Sequence, residues 1–176
     1  MTEPAGLLGD LLELAVQAGN AITHYYEAPG ADQFQAKGDD SPLTQADLAS
    51  DHMLQAGLSA LELVLPVLSE ESPATAFAER HLWRRYWLVD PLDGTKEFLA
   101  RTGEFTINIA LIEDHRPRLG LLYLPLQRMA YSGQVGGKAL RHTLDPEGGW
   151  RSEPLSARGL RDDAPVVVLA LSLIHI

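Results

Sequence analysis

Asp90-Pro91-Leu92-Asp93-Gly94-Thr95-Lys96 is the stretch of this sequence whose residue types could do chemistry together. Asp90 and Asp93 can supply hard oxygen ligands of the kind Mg²⁺ prefers. Pro91 fixes φ and removes a backbone donor between them, which leaves the Leu92 carbonyl free to point at the same ion. Gly94 lets the backbone approach a ligand closely. A helix starting at Thr95 would offer free N–H groups and the positive end of its dipole to a phosphate. The same residue types also suit an ordinary turn, because Asp-Pro and Asp-Gly pairs form turns and Asp93 or Thr95 can cap a helix. The complete string D-P-x-D-G-T shifts the balance, since five fixed residues recur by chance in such a chain at a rate on the order of 1 in 10⁴.

Other acidic and basic residues carry two readings each. Thr44-x-x-Asp47 has the spacing of a capping box at a helix start. A cap also fixes a carboxylate well, so a catalytic reading of Asp47 is compatible with it. Glu70 and Glu71 precede Ser72-Pro73 and on their own read as solvated loop acids. Lys37 reads equally as a surface lysine or as a cation facing an anionic site.

These groups need elements to position them. Leu7, Leu8, Leu11, Leu12, Ala15, Ala18 and Ile22 have helical spacing, which predicts an amphipathic helix over about residues 5–27. Residues 37–42 read as a loop or short hairpin. A second helix is expected over about 44–65, stopped by Pro66. Val67–Ser69 reads as a short strand, and a weak helix follows through Phe77 and Leu82. Residues 86–89 are a buried-strand run that ends at Asp90. Runs at 105–112 and 119–124 predict strands around a hairpin turn at 113–117, and 129–132 with 138–142 another pair. Residues 144–163 read as a polar surface connection, and 166–171 as an apolar strand. Helices followed by antiparallel strands indicate an α+β class.

Composition narrows the function classes. The chain has 176 residues, room for one ordinary domain or slightly more. It carries 24 acidic against 14 basic residues, a net charge of −10, which argues against a nucleic-acid binder. Residues 1–75 hold 12 of the acids and a single basic residue, Lys37; some are solvated helix faces and others are available to hold cations. The absence of cysteine excludes disulfides, a thiolate zinc site and a catalytic thiol. No run of ~18 apolar residues predicts a membrane-spanning helix, and the start lacks the basic residues of a signal peptide, so a cytoplasmic location is expected. The six histidines show no metal-ligand spacing. Val135-Gly136-Gly137-Lys138 lacks the remaining residues of a P-loop. Trp83-Arg84-Arg85-Tyr86-Trp87 leads into a buried strand and reads as packing with a surface basic pair.

Asp90 through Phe98 resembles the signature of the inositol monophosphatase superfamily of Mg²⁺-dependent, lithium-sensitive phosphatases. The Lys96-Glu97-Phe98 continuation is similar to that of the 3'(2'),5'-bisphosphate nucleotidases of the bacterial CysQ type. Val67-Leu68-Ser69-Glu70-Glu71 resembles the family's earlier metal loop, and the stretch from Lys37 to Asp47 resembles its loop and helix start. Gly103 through Ala110 and Gly120 through Pro125 are similar to its following strands. The resemblance implies a layered α/β sandwich. It implies two or three Mg²⁺ ions held by Glu70, Asp90, Asp93 and the Leu92 carbonyl. Glu70, Leu92, Asp93, Gly94 and Thr95 would lie against the substrate's scissile phosphate. Asp47 and Thr95 would orient and deprotonate the attacking water, with Glu70 the third catalytic residue. The implied substrate is 3'-phosphoadenosine 5'-phosphate, hydrolysed to AMP and phosphate in sulfur metabolism. Lys96 and Arg101 are candidates to neutralise its second phosphate. A peripheral place on the inner face of the cell membrane is a further family-level expectation. Two alternatives stand beside this: a phosphatase of inositol monophosphate or another sugar phosphate, against which Lys96-Glu97 argues, and an inactive Mg²⁺-binding fragment.

The family's second α/β domain begins with a strand like 166–171 and supplies another ligand Asp from a Trp-Asp pair. No such pair occurs here, where the tryptophans are 83, 87 and 150. The expectation is therefore an N-terminal domain at 1–155 and, at 156–176, a linker with the first strand of a truncated second domain. The second metal site is then incomplete.

Overall fold

The computed structural model describes residues 6–28, 35–36, 42–72 and 75–156. Lys37, the rest of the loop at 37–41, Pro73 and residues 157–176, with the strand expected at 166–171, lie outside the described residues.

Helix α1 (Leu7–Glu27) forms over the residues its apolar spacing predicts. Leu11, Ala15, Ala18 and Ile22 are fully buried, one face of a 3.6-residue period. Two-residue strands β1 (Gln35–Ala36) and β2 (Pro42–Leu43) pair antiparallel. Helix α2 (Gln45–Ala60) then runs five residues short of the expected end. The reason lies in residues 61–66: Leu61, Leu63 and Leu65 are half-buried while Glu62, Val64 and Pro66 are exposed. That alternation has a period of two, which suits extended chain, and Leu61 is already extended with ψ 154°.

Strands β3 (Val67–Ser69) and β4 (Arg85–Asp93) flank the short helix α3 (Phe77–Arg80). The five-residue helix α4 (Thr95–Leu99) follows, then β5 (Thr106–Glu113), β6 (Arg116–Leu124), β7 (Met129–Gln134), β8 (Leu140–Leu144) and β9 (Trp150–Pro154). The sheet has seven strands in chain order, β3 to β9. The β3–β4 pair is parallel and every other pair antiparallel. The β5–β6 turn places Asp114 and His115 at φ 48° and 61°, the two left-handed positions of a tight hairpin. Strand β9 corrects the expectation of a surface connection at 144–163. Its pattern is weak, but Trp150 meets Tyr123 and His142 edge-on, 6.3 and 6.2 Å between ring centroids, and this anchors the strand to the sheet.

Both long helices pack on one sheet face. Trp87, Val89, Ile107, Ile109, Leu111, Leu119, Leu121 and Tyr123 alternate onto that face and are at most 3 % exposed. Leu88 and Leu122 point the other way and are 43 % and 36 % exposed. The described residues thus form an α+β unit of one helical layer on one sheet. No helix among them is long and apolar enough to cross a membrane.

Two glycines of α1 test the closeness of the layers. A Cβ at Gly19 would stand 2.6 Å from Tyr123 Cε1, inside contact distance, whereas one at Gly9 would meet nothing within 4 Å. Gly19→Ala is expected to destabilise the fold by about 1–3 kcal/mol through overpacking. Gly9→Ala is expected to stabilise it by about 0.5–1 kcal/mol through helix propensity. Denaturant titration of both variants checks the opposite signs.

Candidate functional site

Strand β4 carries one more residue than its partner where the acidic string lies. Asp90 pairs with Asn108 and Asp93 with Thr106, so Pro91 and Leu92 oppose Ile107 alone. On an unbroken strand, residues three apart face opposite ways. The extra residue corrects the parity: Asn108 and Thr106 share a face, and Asp90 and Asp93 share it with them. Pro91 has no N–H to lose from the ladder, so it is tolerated at such a bulge. This is also why β4 continues through Asp93 and does not stop at Asp90 as expected.

Each part of the bulge is held by a neighbour. The Pro91 carbonyl accepts a buried hydrogen bond from Ser50 Oγ of α2 at 2.8 Å. Asp90 Oδ1 accepts from the Leu92 N–H at 3.2 Å, and Asp93 Oδ2 accepts from Asn108 Nδ2 at 3.0 Å. Gly94 has φ 95°, and a Cβ there would stand 2.9 Å from the Glu104 carbonyl oxygen. Only glycine fits this turn, and α4 starts at Thr95 immediately after it.

Asp47 serves two partners at once. Its Oδ2 accepts from the Thr44 N–H at 2.8 Å and from the Thr44 hydroxyl, which completes the capping box of α2. Its Oδ1 accepts from Thr95 Oγ1 at 3.1 Å. Thr95 also reaches the Leu92 carbonyl at 3.2 Å, so one hydroxyl proton has two acceptors. Asp47 is fully buried, and burial raises its pKa, while the hydrogen bonds from Thr44 and Thr95 oppose that rise.

Glu70 is exposed at the turn after β3. Ser69 pairs with Val89, and the Glu70 N–H donates to the Val89 carbonyl at 3.1 Å, so Glu70 runs beside Asp90. The Asp90 carboxyl is raised from 3.8 to about 7, first by burial and then by the charges of Glu70, Asp93 and Glu71, against the opposing hydrogen bond from the Leu92 N–H. Among the described residues, no three Asp, Glu, His or Cys side chains stand close enough to enclose one metal ion. Glu70 lies near enough for its charge to act on Asp90, and enclosing an ion would take a closer approach of their oxygens. The donor chemistry fits a hard divalent cation: the groups are all oxygens, and burial together with the charges of Glu70 and Asp93 makes Asp90 hard to ionise alone.

A cavity of about 830 Å³ extends from Glu70, Asp90 and Asn108 over Leu88, Ala110 and Leu122, on the face opposite the helices. Lys96 is exposed on α4. Arg101 sits at φ 61° with its guanidinium 4.7 Å from the Tyr26 ring centroid, so its charge engages that ring. Sequence reasoning passed over Ser50 and Asn108. Ser50 was visible as a polar residue one turn from Leu54 on the buried side of α2, whereas Asn108 lies on the strand face opposite Ile107 and Ile109, where a polar residue gives no signal.

The Asp90 value fixes the direction of a pH dependence. Its folded-state pKa is raised, so below about pH 7 the folded chain holds a proton that a cation must displace. Mn²⁺ affinity is expected to rise about tenfold per pH unit up to about pH 7 and then level off. In EDTA the sign reverses for stability: between pH 3.8 and about 7 the unfolded chain ionises Asp90 and the folded chain does not, so this group's share of stability falls. Calorimetric Mn²⁺ titration and urea unfolding across that range, with Asp90→Asn as reference, check both slopes.

Comparison with known proteins agrees with this architecture. Residues 8–162 match the inositol monophosphatase family. The chain is 48 % identical over 130 residues to the 3'(2'),5'-bisphosphate nucleotidase CysQ of Salmonella typhimurium, covering 74 % of this chain and 52 % of that protein. It is 46 % identical over 130 residues to the Escherichia coli K12 protein of the same name, with the same coverage. Among solved structures, CysQ from Bacteroides thetaiotaomicron superposes with a TM-score of 0.69 at 36 % identity, over 88 % of this chain and 59 % of that one. The suhB protein of Bartonella henselae superposes with a TM-score of 0.67 at 25 % identity, over 78 % of this chain and 52 % of that one. The chain spans about half the length of the relatives it matches. By sequence match, fold and the motif at the β4 bulge, this chain belongs to the inositol monophosphatase family.

Proposed function

We propose that this chain carries the cation-binding and water-activating groups of a Mg²⁺-dependent phosphomonoesterase. Its proposed substrate is 3'-phosphoadenosine 5'-phosphate, cleaved to AMP and phosphate. The observation that carries this reading is the Thr95–Asp47 hydrogen bond, 3.1 Å long and rooted in a buried cap, beside Asp90 and Asp93 on one strand face. The substrate assignment rests on relatives named 3'(2'),5'-bisphosphate nucleotidase at 46–48 % identity. We assign 1–155 to the domain that bears these groups and place the protein in the cytoplasm.

In this reading Glu70, Asp90, Asp93 and the Leu92 carbonyl hold Mg²⁺. The ion supplies charge neutralisation at the phosphate and a lower pKa for the attacking water. The chain's own residues do the rest. The Thr95 oxygen accepts a hydrogen bond from the attacking water and fixes its direction. As the water oxygen bonds to phosphorus, the bond from phosphorus to the ester oxygen breaks and the departing sugar oxygen takes a proton from solvent water, while the attacking water's proton passes to Thr95 Oγ1 and the Thr95 proton passes to Asp47 Oδ1. A hydroxyl alone is a poor base, and the buried carboxylate behind it makes the transfer possible. Burial raises the proton affinity of Asp47, which favours its role as the terminal acceptor. The Ser50 and Asn108 hydrogen bonds keep the bulge and Asp93 from rotating away. Gly94 makes the turn that brings Thr95 up against Asp47, because a Cβ there would meet the Glu104 carbonyl.

Phosphate release from adenosine 3',5'-bisphosphate and from inositol 1-phosphate, each with Mg²⁺ or EDTA, tests the proposal. Turnover of the bisphosphate that needs Mg²⁺ is the expected result. Thr95→Ala is expected to lower kcat by about 10²–10⁴-fold with little change in KM. Preference for the inositol ester would favour the sugar-phosphate alternative. Activity undiminished in Asp93→Asn would refute the site.

A further inference from the structure

The loop that presents Glu70 is gripped at both ends by one face of α2. Ser69 Oγ donates to Asp51 Oδ1 at 2.5 Å. The same Ser69 oxygen accepts the Glu71 N–H at 3.4 Å. Four residues along α2, the Gln55 amide nitrogen lies 3.2 Å from Asp51 Oδ2, and it also donates to the Ser72 hydroxyl. The tetrad Ser69-Glu70-Glu71-Ser72 is therefore tied to the helix at its first residue through Asp51 and at its last through Gln55. Asp51 and Gln55 are i and i+4, neighbours on one helix face. Asp47 and Ser50 belong to the same stretch of α2 and bind Thr95 and the Pro91 carbonyl. One rigid element thus touches the Glu70 loop, the β4 bulge and the start of α4.

We propose that Asp51 is a positioning residue for the Glu70–Glu71 loop, acting through Ser69 and together with Gln55. This rests on the reading of Glu70 as a cation ligand. The backbone pairing of β3 fixes where Glu70 starts. It does not fix the turn that follows, because the pairing ends at Ser69. The chain Asp51 carboxylate, Ser69 hydroxyl, Glu71 N–H sets that turn by polarising each bond in sequence. Groups behind a ligand that orient it typically change metal affinity by 10–100-fold when removed. Asp51 does this from behind the loop, with its oxygens turned to Ser69 and Gln55.

The test uses the full chain, with Mn²⁺ alone as the probe and calorimetric affinity as the readout, alongside kcat and KM. Asp51→Ala and Ser69→Ala are each expected to weaken Mn²⁺ binding by about tenfold, and the double variant no further, because both remove the same bond. Asp51→Asn keeps an acceptor for Ser69 and is expected to stay within about threefold of the parent chain. Leu58→Ala, in the core at the far end of α2, is expected to lower the melting temperature without changing Mn²⁺ affinity. Equal loss in Asp51→Asn and Asp51→Ala would make Asp51 a charge acting on the ion directly and overturn the positioning role. An equal loss in Leu58→Ala would reduce the effect to general loosening and overturn it too. A parent chain that binds Mn²⁺ while both alanine variants bind it unchanged would sink this inference alone. A parent chain that shows no saturable Mn²⁺ binding would sink the cation site and this inference with it.

Discussion

Two carboxylates of like charge share one face of β4 because the strand holds an extra residue between Asp90 and Asp93. Without it, residues three apart would face opposite ways and one carboxylate would enter the core beneath the helices. The bulge sets Asp90 in a half-buried place beside other acids, and its carboxyl is raised to about 7, first by burial and then by the charges of Glu70 and Asp93. A cation against these carboxylates would offset their mutual repulsion, and the arrangement is consistent with the proposed binding of a cation there.

What keeps the bulge in place is helix α2. Its first turn is fixed by the capping box of Thr44 and Asp47, and its apolar face by Leu54 and Leu58, both fully buried. From that footing it reaches the bulge through Ser50, α4 through Asp47, and the Glu70 loop through Asp51. The cap is part of the same device: the carboxylate that starts the helix has one oxygen left over for Thr95. A side chain with its second oxygen already engaged loses little freedom on taking up a catalytic task.

Much of this was legible in the sequence, and the legible parts share a cause. The helical period of α1, the turn and glycine at 94, the start of α4 at Thr95 and the capping box all follow from local rules that the structure obeys. The D-P-L-D-G-T string located the acidic pair but not the bulge, because register is a property of two strands and only one was in view. For the same reason the local pattern ends the strand at Asp90, whereas pairing with β5 carries β4 to Asp93. Strand β9 was missed because Trp150-Arg151-Ser152-Glu153-Pro154 has no clean alternation, and its place is decided by what Trp150 meets on other strands. The end of α2 was missed differently. Leu61 and Leu65 also satisfy a helical period, so the apolar pattern runs on to Pro66, and only the alternation of Leu61, Leu63 and Leu65 marks the extended chain. Ser50, Asp51 and Asn108 acquire a function only through partners distant in sequence, the Pro91 carbonyl, Ser69 and Asp93.

Anomalous diffraction from crystals of the chain grown with Mn²⁺ tests most directly whether the bulge exists to hold a cation. The account requires a peak at ligand distance from both the Asp90 and Asp93 carboxylates, with Glu70 turned inward to meet it. A peak bound elsewhere, or none at these carboxylates at saturating Mn²⁺, would contradict it.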